Sequence, residues 1–301
     1  MPTITLRDKQ SLFVRQLGNG QPVLLLPGLG MKSHHWLPFV WPLRKQFCFY
    51  MPEFRGVGRS SAASFNQPNI FQNHMEDVED IVQHFGLKDF ILVGYSQGAS
   101  TALHWQNAGG FEQVRAYLHI EQSPCVINQP SWQHGLFGIQ QQWFFARFKR
   151  LQTLLEPHQE STMMALPHRV REQLLTELGD IFSRLLGKPL VRRAFPFMHF
   201  LPWTIPFIFP VTRVADISAY LENYTTLGEN YLPGLADCRT PITVIAGGRS
   251  PLYAVAGQAT VAEQSQDGDL VVLPHSGHVP MLDQPFAFKQ AFTRFLHRYS
   301  D

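Results

Sequence analysis

Cysteine is scarce in this chain of 301 residues: Cys48, Cys125 and Cys238 are odd in number and widely spaced. They form neither a disulfide framework nor a zinc ligand set, and each reads as a small buried hydrophobe. Charge is sparse too, at 16% of residues, and neither sign dominates, since 25 Lys and Arg against 23 Asp and Glu leave a net charge of +2. That balance argues against nucleic acid as the main partner. No uninterrupted apolar run has membrane-spanning length. The segment 194–211 is apolar and aromatic, but Pro196, Pro202, Pro206 and Pro210 interrupt it, and each removes an amide donor and breaks a helix. Residues 1–9 hold no apolar core of signal-peptide length, so the expected location is cytoplasmic. Internal repeats and low-complexity tracts are absent as well.

What the chain does have is apolar material, 45% of residues, enough to bury a large core and to exclude global disorder. Its length suits one large domain or one domain carrying an inserted lobe. The first third alternates short apolar runs with a helical pattern. Leu12 to Gln16, Pro22 to Leu26, Cys48 to Met51, Phe90 to Val93 and Val114 to Ile120 read as strands. Phe71, Met75, Val78, Ile81, Val82 and Phe85 recur at helical spacing, and Gly86 ends that helix. After Pro124 the pattern changes. Helical stretches such as Gln140 to Leu155 and Arg169 to Leu186 dominate, and no strand is convincing before about Ala236. Strands then resume at Ile242 to Ala246 and Leu270 to Leu273, with helices near Ala254 to Gln264 and from Pro285 to Arg298. The expected class is α/β: a mostly parallel central sheet flanked by helices, formed by residues 1–125 and 237–301, with a helical insertion over 126–236.

The strongest chemical signal is Gly94-Tyr95-Ser96-Gln97-Gly98, directly after the strand Phe90 to Val93 and before an Ala-rich helical start. This G-x-S-x-G pattern builds a tight strand-to-helix turn in which the serine's neighbours must lack side chains, and the hydroxyl projects beyond the sheet edge. The helix N-terminus behind it favours developing negative charge. A neutral serine needs a base. The candidate is His278, in Pro274-His275-Ser276-Gly277-His278, just past the last strand, where parallel sheets place their chemistry. His275 is the nearest rival, but it stands where the strand has barely ended.

Together with these, Val23-Leu24-Leu25-Leu26-Pro27-Gly28-Leu29-Gly30, Glu53-Phe54-Arg55-Gly56-Val57-Gly58-Arg59-Ser60 and Ser276-Gly277-His278 with Asp283-Gln284-Pro285 resemble, in the same order, motifs of the α/β-hydrolase superfamily. The resemblance covers nearly the whole chain outside the insertion. Pro27 stands where a histidine is common, and Glu53 replaces an aspartate. The resemblance implies a serine hydrolase with Ser96 as nucleophile, His278 as base, and the backbone amides of Leu29 and Gln97 as the oxyanion hole. Gly28 and Tyr95 beside them are the candidate substrate-binding residues, and the insertion is implied to be a cap. Ser96 argues against the haloalkane dehalogenases and epoxide hydrolases of this fold, which carry aspartate at the elbow.

One member of the set departs from the family. Its acid usually follows the penultimate core strand, where this chain reads Gly247-Gly248-Arg249-Ser250, and Ser250 cannot stabilise an imidazolium as a carboxylate does. Glu121, at the end of the strand Val114 to Ile120, is the candidate replacement, because some superfamily members carry the acid after this earlier strand. Asp237 precedes its strand, Asp216 belongs to the insertion, and Asp283 follows His278 too closely. The alternative is that Glu121 only stabilises its loop.

The reaction these residues imply is two-step acyl transfer on a carboxylic ester, with no metal or organic cofactor. The insertion carries Trp143, Phe144, Phe145, Phe148, Phe195, Phe197, Phe200, Trp203, Phe207 and Phe209. Such residues can line a channel for a hydrophobic group, which points to a small-molecule ester with a medium-chain or longer acyl group, or they can simply pack the cap. Arg147, Lys149 and Arg150, with Arg192 and Arg193, are basic residues near aromatics that can touch an anionic lipid surface transiently, or form a solvated face. An acyltransferase, a thioesterase, a perhydrolase, or a binding protein that lost its chemistry at Ser250 are the other readings.

Overall fold

The structure, a computed structural model, describes residues 3–185, 211, 213–226 and 228–300. Eight strands form one sheet: β1 (Thr3–Thr5), β2 (Ser11–Gly18), β3 (Gln21–Leu26), β4 (Phe47–Pro52), β5 (Phe90–Tyr95), β6 (Val114–Ile120), β7 (Ile242–Gly247) and β8 (Gly268–Leu273). Their order is β1-β2-β4-β3-β5-β6-β7-β8, with β1 and β2 antiparallel and every pairing from β4 to β8 parallel. The expected class is thus the observed one, with β1 as a strand too short to show alternation.

Parallel strands covered on both faces read as unbroken apolar runs rather than alternating ones. All six residues of β5 and all six of β7 are buried, while the edge strand β8 leaves most of its residues at least partly exposed. Helices flank the sheet on both faces: α1 (Leu37–Val40), α2 (Ile70–Phe85) and α3 (Gln97–Asn107), then, after α4 (Gln141–Leu155), α5 (His168–Leu185) and α6 (Val214–Thr225), which pack in a cluster of their own, α7 (Leu232–Ala236), α8 (Val255–Gln264), α9 (Pro280–Asp283) and α10 (Pro285–Arg298). The limits of α2 follow from its sequence. The Asn69 side chain accepts from the amides of Phe71 at 2.9 Å and Gln72 at 3.2 Å, and Gly86 closes the helix at φ 60°.

Among the described residues of 126–236 there is no strand beyond isolated bridges, as the sequence predicts. Helix α6, which has no motif to announce it, joins this segment to the sheet domain. Asn223 Oδ1 accepts from the Ile70 amide at 2.9 Å and Asn223 Nδ2 donates to the Pro68 carbonyl at 2.8 Å, so α6 satisfies the start of α2. Arg213, at its head, donates to the Ala63 carbonyl at 2.6 Å and pairs with Asp216. Phe144 and Phe148 are buried in a cluster with Phe137, Leu151 and Leu175, so these two pack the insertion onto itself. Phe195, Phe197, Phe200, Trp203, Phe207, Phe209, Arg192 and Arg193 lie outside the described residues.

Within the expected basic patch Arg147 is tied internally: its guanidinium donates to Glu177 at 2.6 Å and Asp180 at 2.5 Å and lies 4.5 Å over the Trp143 ring. Lys149 and Arg150 are exposed. No helix among the described residues is long and apolar enough to cross a membrane.

Candidate active site

The chain adds β4 on one side of β3 and then β5 on the other, so the strand order reverses at β3 and opens a crevice at the C-terminal ends of β3 and β5. Ser96 follows β5 and Leu29 follows β3, which puts both at that crevice. Ser96 adopts φ 51° and ψ −115°, a left-handed φ rare for a residue with a side chain. Such a backbone costs about 1–3 kcal/mol and persists only when its surroundings over-determine it. The surroundings here are close-packed. A Cβ on Gly98 would collide with the Leu26 carbonyl of β3, so the first turn of α3 can lie against the sheet only with glycine there. A Cβ on Gly28 would come within 2.7 Å of the Tyr95 ring, so the loop after β3 can approach the turn only with glycine at that position.

Ser96 Oγ lies 3.0 Å from His278 Nε2, and His278 Nδ1 lies 3.0 Å from Glu121 Oε2. A carboxylate only accepts, so Nδ1 carries the proton and Nε2 is left to accept from the serine hydroxyl. Parallel register produces the meeting. The Ser96 amide donates to the Ile120 carbonyl at 2.8 Å and the Glu121 amide to Ile245 at 3.1 Å, which sets the two side chains one strand apart at the same sheet edge. Glu121 has a left-handed φ of 53°, like Ser96. It is fully buried, and its second oxygen, Oε1, accepts from the Gly247 amide and from Gln258 Nε2, the latter at 3.0 Å. Ser250 is turned to other partners: its amide donates to the Gly247 carbonyl at 3.2 Å and its Oγ accepts from the Tyr253 amide at 3.5 Å.

The loop that carries His278 is held at three points. Tyr95 is buried and donates from its hydroxyl to the His278 carbonyl at 2.9 Å, so its polar end faces this loop. Asp283 accepts from the Gly277 amide at 2.9 Å and Gln284 from the His275 amide at 2.8 Å. His275 itself lies 3.1 Å from the Arg249 guanidinium, away from Ser96. Glu53, buried, braces the loop after Leu29: it accepts from the Ser33 amide at 3.0 Å, the Ser33 hydroxyl at 2.7 Å and the Arg59 amide at 2.7 Å. Among the described residues the amides of Leu29 and Gln97 donate to no other group. The Gln97 side chain is buried; its Nε2 donates to the Tyr220 hydroxyl of α6 at 3.0 Å and lies 2.8 Å from His74 Nε2. Tyr220, Gln258 and Tyr253 carry no motif, and no signal in the chain singles them out.

Two buried histidines lie beneath this site. His119 donates from Nε2 to the Gln122 carbonyl at 2.8 Å and accepts from the Tyr117 hydroxyl at Nδ1, at 2.9 Å. His74 stacks on Phe54 with ring centroids 4.1 Å apart. Burial pushes the His119 pKa down to about 4. For His74, burial and then the Arg55 charge push it down to about 3. Both stay neutral in the fold, whereas the unfolded chain takes a proton at each below about pH 6.5. The unfolded state then binds more protons, so stability is complete above that pH and falls as pH drops, by about 1.4 kcal/mol per pH unit for each histidine. Urea midpoints measured in steps from about pH 7 down to about pH 6 are therefore expected to fall; a level profile there would contradict the neutral assignment. The steps stay above the range in which the buried Asp77 carboxyl, pushed up to about 6, takes a proton in the fold and acts in the opposite sense.

A sequence profile described as the alpha/beta hydrolase family matches residues 23–291. A pimeloyl-[acyl-carrier protein] methyl ester esterase from Chromobacterium violaceum is 24% identical over 298 residues, spanning 95% of this chain and 98% of the relative. Among solved structures, an esterase from Exiguobacterium antarcticum superposes with a TM-score of 0.75 at 17% identity, covering 98% of both chains. An esterase from a Rhodococcus species superposes with a TM-score of 0.72 at 17% identity and 99% coverage of both. At such identity the structural likeness speaks for the fold.

Proposed function

The chain belongs to the alpha/beta hydrolase family, and from that premise we propose that it is a serine esterase cleaving a carboxylic ester with an apolar acyl group. The observation that carries this reading is the hydrogen-bonded series from Ser96 through His278 to Glu121, at 3.0 Å for each link, at the crevice of the sheet. In the proposed reaction His278 Nε2 takes the Ser96 proton as Oγ attacks the ester carbonyl carbon. Glu121 holds the imidazole in the tautomer that makes Nε2 the acceptor and stabilises its charged form. The amides of Leu29 and Gln97 receive the negative oxygen of the tetrahedral intermediate, a contribution of about 10²–10³ in rate for each donor in enzymes of this kind. The C–O bond to the alcohol breaks, the alkoxide leaves with the proton from His278, and water releases the acid by the same steps in reverse roles.

Residues 126–236 act in this reading as the cap over a core of 1–125 and 237–301. Tyr253, whose ring centroid is 6.1 Å from that of His278, belongs to the same apolar cluster as Val126, Phe137 and Phe144. Apolar packing therefore runs from beside the histidine into the insertion, an environment that favours an apolar acyl group over a short polar one. The Chromobacterium violaceum relative is a pimeloyl-[acyl-carrier protein] methyl ester esterase, whose substrate has a methyl alcohol half and a larger acyl half; the same division is proposed here. The test is a series of p-nitrophenyl esters of increasing acyl length. Turnover per unit KM is expected to rise from acetate to the medium-chain esters, and activity confined to acetate would contradict the apolar acyl site.

A further inference from the structure

Glu121 meets His278 Nδ1 through Oε2, and one of the groups that holds its other oxygen lies on a helix distant in sequence. Gln258 is in the first turns of α8 and fully buried. Its Nε2 is 3.0 Å from Glu121 Oε1 and 3.1 Å from the Tyr253 carbonyl oxygen. Both partners are pure acceptors, so the side-chain amide can stand only one way round, with its two protons directed at them. The opposite orientation would set an amide oxygen against a carboxylate and a carbonyl. The preferred orientation leaves Gln258 Oε1 buried with no hydrogen-bond partner. An orphaned buried acceptor is destabilising, and a leucine or methionine of similar size would avoid it. The polar side chain is thus poorly suited to packing and well suited to donating to Glu121 and to the Tyr253 carbonyl.

We propose that Gln258 is a positioning residue for the reaction: it fixes the Glu121 carboxylate in the plane from which Oε2 meets His278 Nδ1. This rests on the reading of Glu121 as the partner of His278. Glu121 projects from a backbone with φ 53° at the end of β6, and its side chain must cross to the loop after β8, where His278 stands. Two donors on Oε1, the Gly247 amide and Gln258 Nε2, hold the carboxylate from the side opposite His278 and narrow its rotation further than either does alone. Gln258 also joins Glu121 to Tyr253, so one amide group ties together two neighbours of the His278 ring.

The experiment is a double-mutant cycle on the full chain, combining Gln258→Met with Glu121→Gln, read with p-nitrophenyl esters. Loss of a hydrogen bond to a charged group predicts a fall in kcat of about 10- to 100-fold for Gln258→Met, with KM little changed. The thermal midpoint is expected to move little, since the orphaned Gln258 oxygen goes while the Tyr253 carbonyl loses its donor. The low-field proton resonance of the His278 Nδ1–H is expected to shift or broaden. In the Glu121→Gln background the same Gln258→Met change is expected to add nothing. Gln258→Leu serves the same cycle if methionine packs badly. Wild-type kcat with an unchanged resonance, or penalties that simply add in the double variant, would overturn the proposal while leaving the esterase reading intact. Wild-type kcat in Glu121→Gln alone would instead remove the acid assignment on which it rests.

Discussion

Replacing Ser96 by alanine is expected to lower kcat for p-nitrophenyl esters by about 10⁵–10⁶-fold, because the acyl-enzyme path disappears with the hydroxyl. The residual rate comes from the groups that still bind the ester and its oxyanion. Ser96→Ala keeps a Cβ at the same φ of 51°, so the turn and its packing against Gly28 and Gly98 are retained and the thermal midpoint is expected to move little. The same hydroxyl is the expected site of attack on a fluorophosphonate. Mass spectrometry is expected to place the adduct on the peptide containing Ser96 in the wild type and to find none in the variant. Ester turnover that survives the substitution would remove the serine mechanism altogether. Absence of both labelling and turnover in the wild type would favour a binding protein that has kept the fold.

The second large effect concerns the acid. Glu121→Gln is expected to lower kcat by about 10³–10⁴-fold, since an amide at this position can donate to His278 Nδ1 and so favours the wrong tautomer of the ring. Ser250→Ala, at the position where the family usually carries its acid, is expected to change kcat by no more than a few-fold. Among the described residues Ser250 Oγ accepts only from the Tyr253 amide, at the long distance of 3.5 Å. Measuring both variants under the same conditions separates the alternatives sharply. Equal, mild losses in the two would mean that Glu121 stabilises its loop and that no acid is needed. A severe loss in Ser250→Ala would return the role to the loop after β7.

These predictions differ in how far the chain alone could carry them. Ser96 is legible because a tight turn forces glycine at Gly94 and Gly98, and the required spacing survives as a pattern of letters. Glu121 is legible by contrast: the letter missing at Ser250 sends attention to a carboxylate at another strand end. Gln258 offers nothing of the kind. It lies 137 residues from Glu121, in a helix of ordinary composition, and a glutamine there is as suitable for a solvated surface as for a buried contact. Arg147 is similarly silent, for a cluster of basic residues gives no sign that the carboxylates of Glu177 and Asp180 come round from the next helix.

The sequence by itself determined the alternation of buried strands and helices, because a parallel sheet covered on both faces must be built from unbroken apolar runs, and these are visible in β3, β5 and β7. It also determined the order of the motifs and the glycines that close approach demands. Only the tertiary structure decided which polar groups face one another. The strand order fixes that Ser96, Glu121 and the loops after β7 and β8 share one sheet edge, and the fold of α8 brings Gln258 to Glu121. The reason is physical: backbone periodicity leaves its trace in local spacing, whereas a hydrogen bond between distant segments depends on distances of a few tenths of an ångström and leaves none.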